Sequence, residues 1–148
     1  EGTVNTASLA TRFLFADRFF ADLSFSYLIP SNFTLATTRF STGGMLVRAG
    51  VGIVALDTEW VVLRAMAGPQ ATWYEIYRGE ETGQWVTHWY GWAGAAVDVR
   101  VYGPAWFTLR SDVALSGADV IVSVEGVDGE KRLNNPLFDL LAGVSVSF

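Results

Sequence analysis

His88 is the only histidine in the chain, and so the only side chain whose ordinary pKa suits proton transfer near neutral pH. In a strand of period two, His88, Tyr90 and Trp92 share one face. Gln70, Thr72 and Tyr74 share the matching face of the preceding segment, which leaves room for a small polar and aromatic vestibule. Nucleophilic catalysis there would need a hydroxyl against the imidazole and an acidic group to orient it. Thr87 falls on the opposite face by parity, and no serine stands two residues beyond His88. A single histidine in a chain without cysteine is no metal site, because three or four ligands are needed. Gly50, Gly52 and Gly143 form no phosphate loop and open no helix; they read as relief of crowding or as bending points inside a narrow barrel. No catalytic residue, metal or cofactor is expected, and the rings of Tyr74, His88, Tyr90 and Trp92 are expected to fill the end of a lumen.

The ionic pattern is the stronger one. Arg12, Asp22, Arg48, Arg64, Asp98, Arg100, Arg110, Asp112 and Asp139 each lie on the face opposite the apolar one of their segment. A charge turned toward hydrocarbon at mid-depth costs about 2–4 kcal/mol, which gives lipid the means to enforce such a split. Buried ions are expensive unless paired and hydrogen-bonded, so these arginines and aspartates are expected to form one lumenal network with bidentate contacts.

Seven segments of alternating character carry these residues. The first, roughly 5–16, shows Ala7, Leu9, Thr11, Phe13 and Phe15 on its apolar face. The second shows Phe19 to Ile29 at odd positions, the third Met45 to Ala55, and the fourth Val61 to Trp73, with Pro69 marking an expected irregularity. The fifth shows Trp89 to Val101. The sixth runs from Phe107 to Leu115 and is expected to continue past a bulge at Ser116-Gly117-Ala118 through Val120, Val122 and Val124. The seventh closes the chain. Tight turns are expected at Ala16-Asp17-Arg18, Leu56-Asp57-Thr58 and Tyr102-Gly103-Pro104, and longer polar loops over 30–44, 78–83 and 128–135.

The closing segment places Phe138, Leu140, Val144, Val146 and Phe148 on one face and ends on that aromatic. It resembles the terminal strand that bacterial outer-membrane β-barrels present to their insertion machinery. The resemblance implies an antiparallel up-and-down transmembrane β-barrel of about eight strands in the outer membrane of a diderm bacterium. Its implied partners are outer-membrane lipid and the barrel-assembly machinery. In that arrangement short turns face the periplasm and long loops face outward. Phe13, Phe15, Phe19, Tyr102, Trp106, Phe107 and Phe148 would line the periplasmic girdle, and Trp73, Tyr74, Tyr77, Trp85, Trp89 and Tyr90 the outer one. Barrels of this size that deacylate lipid A need a His and Ser close together on a strand, which His88 lacks here.

Composition bounds the alternatives. The 148 residues make one domain; 51% are hydrophobic and 17% charged, yet no run approaches the ~18 apolar residues of a membrane helix. A net charge of -5 with one lysine, Lys131, argues against a nucleic-acid partner. A soluble barrel with its apolar faces inward would expose Gly50, Gly52, Trp92, Gly94, Ala96 and Leu141, a poor aqueous surface. Seven strands leave one short of an even number, with Glu1 on the outer side. The missing strand is expected to precede Glu1 or to belong to another chain; parallel pairing of the first and last strands, or two strands merged around 31–40 or 116–125, are the other solutions. The function expected is a structural or interaction element of the envelope, with loops 74–84 and 125–135 as candidate contact points. A lipid-acting enzyme and a narrow pore are the alternatives.

Overall fold

A computed structural model describes residues 6–35, 38–78, 84–117, 121–123, 130–132 and 137–146. The alternating segments become strands β1 (Thr6–Ala16), β2 (Phe19–Leu35), β3 (Thr38–Asp57), β4 (Val61–Arg78), β5 (Gln84–Tyr102), β6 (Ala105–Leu115) and β9 (Leu137–Val146). These seven form one antiparallel sheet in the order β1-β2-β3-β4-β5-β6-β9. Two further short strands, β7 (Ile121–Ser123) and β8 (Glu130–Arg132), pair with each other in a separate ladder.

Three short turns lie at one end of the sheet. At the first, Val54 N donates to Arg18 O at 2.7 Å. At the second, Thr58 Oγ1 accepts from Val61 N at 2.9 Å and Thr58 N donates to Val61 O at 3.0 Å, so a hydroxyl closes the turn in the way threonine favours. At the third, Gly103 takes φ 52°, a left-handed conformation that glycine adopts without a Cβ penalty.

At the other end the strands run further than expected. The stretch over 30–44 is no loop: β2 and β3 stay paired from Ser31↔Thr42 to Leu35↔Thr38. The 74–84 segment is likewise strand up to Arg78 and again from Gln84. Among the described residues no additional strand of the main sheet is hidden in 31–40. The sixth strand stops at Leu115, and Ile121–Ser123 belongs to the small ladder, whose second strand occupies part of the expected 128–135 loop. Residues 79–83, Ala118, Val120, Val124, most of 125–135 and the terminal Phe148 lie outside the described residues.

Proline disturbs the sheet at two places, with a register shift at Pro30 and a local gap at Pro69. The β2–β3 register shifts between Leu28 and Ser31, whereas β4 and β5 pair straight through Pro69↔Gly91. On its other side Pro69 leaves only a local gap, between the β3–β4 pairs Arg48↔Gln70 and Val51↔Ala67, with no change of register.

The sheet curls into an open half-barrel. Arg110 on β6 reaches Asp22 on β2 at 3.2 Å, and Arg48 on β3 contacts Asp139 on β9, so side chains bridge strands far apart in the ladder. Among the described residues the edge strands β1 and β9 pair with β2 and β6 only. Seven strands in antiparallel sequence make those two edges point the same way.

Burial is inverted relative to a water-soluble sheet protein. The concave face seals Arg48 at 2% exposure, Gln70 at 0% and Asp112 at 2%, while the convex face exposes Leu9 at 77%, Val51 at 64% and Val144 at 78%. Apolar faces turned inward, the other arrangement open to this sequence, are therefore not what the chain adopts.

Candidate functional site

The concave face is packed by alternating large and small side chains along the ladder rows. One row runs Phe20-Gly52-Met66-Gly94-Asp112, each neighbour set by strand register. A Cβ at Gly52 would strike the Phe20 ring, and one at Gly94 would strike the Asp112 carboxylate. A Cβ at Gly50 would lie 2.7 Å from Trp92 Cζ2. Gly50 and Gly52 thus make space for rings, as crowding relief requires, while Gly143 faces open space and has no such role.

Within that packing, six ions form a chain of alternating sign. Arg12 lies 3.7 Å from Asp22, which meets Arg110 at 3.2 Å; Arg110 holds Asp112 at 2.7 Å, and Asp112 meets Arg48 at 2.8 Å. Arg48 ends the chain on Asp139. The series starts on edge strand β1, crosses β2, β6 and β3, and finishes on edge strand β9. Interior members have side chains at most 9% exposed, whereas the terminal Arg12 and Asp139 are 31% and 34% exposed.

Arg64 and Asp98 form a second, separate pair, with Thr108 Oγ1 donating to Asp98 at 2.7 Å. Arg100 joins neither group. It sits next to the tight-turn end, where its Nε donates to Gly103 O at 2.8 Å and its guanidinium lies 5.9 Å from the Trp106 ring. A backbone carbonyl close at hand takes the place of a carboxylate across the lumen.

Bidentate forks are absent among the described residues. Arg48 spreads its three nitrogens over three partners, with Nε donating to Gln70 Oε1 at 2.7 Å, Nη1 to Asp112 and Nη2 to Asp139. Arg110 uses one Nε–H for both Asp112 oxygens, at 2.9 and 2.7 Å. Aromatic faces supply the remaining stabilisation. Trp92 lies 5.7 Å from Arg48 and 4.7 Å from Arg110, and Phe20 lies 5.1 Å from Arg12 and 5.8 Å from Arg64. Each such contact contributes about 0.5–2 kcal/mol, the larger value when desolvated. Trp92 is itself fixed by Nε1 donating to Pro69 O at 3.1 Å.

The expected vestibule is a filled layer. Tyr74 and Tyr90 are buried with their hydroxyls 3.2 Å apart, and His88 packs edge-on to Tyr90 at 4.9 Å between ring centroids. Both tyrosines therefore leave the outer aromatic girdle, where sequence position alone would put them. Trp60, in the second tight turn and 61% exposed, joins the aromatics of that end.

Three contacts escape a reading by parity. Ser116, just past the end of β6, lies with Oγ 2.5 Å from His88 Nε2. Thr108 carries no charge to flag its bond to Asp98, and Gln70 serves Arg48 in place of a vestibule. A search for serine near His88 in sequence could not find Ser116, because the strand pairing brings it from 28 residues away. Among the described residues no group of three His, Cys, Asp or Glu side chains is placed to hold a metal ion. No family model matches the chain, and comparison with curated proteins and with solved structures gives no match either.

Proposed function

We propose that this chain is the wall of a bacterial outer-membrane β-barrel, with hydrocarbon against its convex face, and that it serves as a structural or interaction element of the envelope. One observation carries the reading: large apolar side chains are exposed along the convex face of six of the seven strands of the main sheet, β4 exposing only Ala65, Ala67 and Pro69 there, while arginines and aspartates are sealed inside. Water would penalise that arrangement and lipid rewards it. Support also comes from the asymmetry of the ends. Short turns rimmed by Phe15, Phe19, Trp60 and Tyr102 suit the periplasmic side, and long hairpin arms suit the outer side. The closing strand and Phe148 would serve the barrel-assembly machinery during insertion. The lumen cross-section holds Phe20, Met66 and Trp92 beside the ion chain, which favours a packed wall over a narrow pore.

The test is refolding from urea into phosphatidylcholine vesicles followed by flotation. The expected result is that the protein floats with the vesicles, shows β-sheet circular dichroism and aggregates without amphiphile. A folded, monodisperse protein in plain buffer overturns the reading.

A second reading, an outer-rim esterase acting on lipid, is favoured by the His88–Ser116 hydrogen bond alone. Its test is covalent labelling of Ser116 by a fluorophosphonate in micelles, with His88→Ala as the control. Labelling lost in the His88 variant supports it, and unlabelled wild type removes it.

A further inference from the structure

We propose, resting on the membrane reading above, that the seam between β1 and β9 accepts one β-strand from a partner segment, antiparallel to both edges. That strand carries apolar residues on its lipid side, small or polar residues on its lumen side, and a carboxylate facing Arg12.

The first argument is backbone chemistry. Among the described residues both edges carry a row of N–H and C=O groups with no ladder partner, and hydrocarbon offers none, so an open edge is costly at membrane depth. The second is direction. Because β1 and β9 run the same way, pairing them with each other gives a parallel ladder, whereas one inserted strand is antiparallel to each. The third is curvature. Arg110–Asp22 and Arg48–Asp139 bring strands four apart in the ladder within reach of one Arg–Asp pair across the lumen, a curl tight enough for a barrel of about eight strands. Two copies closing on each other would form fourteen strands and pull these ion pairs apart, so the seam suits a single strand and not a second copy.

Side chains at the seam show what the strand must present. Leu14 faces the lumen by parity yet is 68% exposed, and the lumen-facing Gly143 and Ser145 of β9 are exposed as well. The ion chain ends at the gap on both sides. Arg12 makes no side-chain hydrogen bond among the described residues, and its counter-ion Asp22, 3.7 Å away, is already shared with Arg110. A carboxylate on the incoming strand would give Arg12 the second counter-ion that Arg48 and Arg110 already have. Recognition by strand addition with alternating side-chain pockets is an established mode of binding.

The experiment uses the full chain folded in detergent micelles and a synthetic peptide matching β1 in length, 11 residues. The peptide alternates valine or leucine with serine or threonine and has one central lumen-side aspartate. A lysine version and a scrambled version serve as controls, with amide hydrogen exchange as the readout. Expected is slowing of exchange by about tenfold or more on both β1 and β9, for the aspartate peptide and not the scrambled one. Arg12→Gln should remove the preference for aspartate over lysine while the edges remain protected. Peptide without effect on either edge overturns the proposal, as does a disulfide forming between Ala10→Cys and Gly143→Cys in the peptide-free protein. Seam-to-seam cross-linked dimers overturn it in favour of a second copy. Failure of the membrane reading is read separately: without detergent, β3, β4 and β5 would then be protected in plain buffer.

Discussion

On the concave face Arg48, Gln70 and Asp112 are sealed from solvent, whereas on the convex face Val51, Leu140 and Val144 stand exposed, and both faces belong to the same strands. Successive residues therefore experience opposite surroundings, one sealed and one exposed. The concave side is buried like the interior of a protein but differs in chemistry, since ion pairs, arginine–ring contacts and glycine gaps are set among Phe20, Val54, Met66 and Trp92. The convex side has the chemistry of a core and the exposure of a surface. Stability on the inner face accordingly depends on which side chains meet, while on the outer face it depends on the medium that surrounds the wall.

The largest expected effect breaks the inner side of that contrast. Arg48→Ala strips Asp112, Asp139 and Gln70 of their shared partner, and removing one member of a buried pair costs about 3–5 kcal/mol. A fall in the urea midpoint of the micelle-folded protein, at unchanged slope, measures it. Next, Val51→Arg puts a cation on the outer face and is expected to cost about 2–4 kcal/mol in vesicles. A water-facing wall would accept the same change with little loss, so this variant sharpens the distinction between media. Gly52→Val tests packing instead of charge, because its side chain must displace the Phe20 ring and crowd Ala65 O; a loss of about 1–3 kcal/mol is expected. Smallest is Arg100→Gln. Its partners are the Gly103 carbonyl and the Trp106 ring, both near the exposed turn, so the unfolding midpoint should move by no more than about 0.5 kcal/mol.

The difference between Arg48 and Arg100 also separates what the chain's alternation encodes from what it leaves open. Period two identifies the strands and assigns each charge to a face, because a one-residue slip would invert every side chain at once. It carries no information on partners across the lumen. Arg110 and Asp22 are 88 residues apart and meet only through the curl of the sheet, while Arg100 has the same parity but is captured by a turn carbonyl next to it. Ser116 is hidden for the same reason, since its approach to His88 depends on β5–β6 pairing and on a residue beyond the strand end. The arms of β2 and β3 over 31–42 are illegible as strands for a different cause. Outside the apolar band neither face needs to be hydrophobic, so pairing continues with no alternation to reveal it. Pro69 teaches a converse point: its missing N–H leaves a gap on the β3 side while the β5 ladder passes through intact.

The chain has no cysteine, so a nitroxide on a single introduced cysteine reports from one place only. The most direct measurement labels Val51→Cys, Val97→Cys and Val144→Cys in turn in phosphatidylcholine vesicles and compares relaxation by oxygen, which concentrates in hydrocarbon, with relaxation by a water-soluble nickel chelate. Oxygen dominating at all three convex positions is the result predicted by a lipid-facing wall. Nickel dominating at all three, in a protein that remains folded, would contradict it.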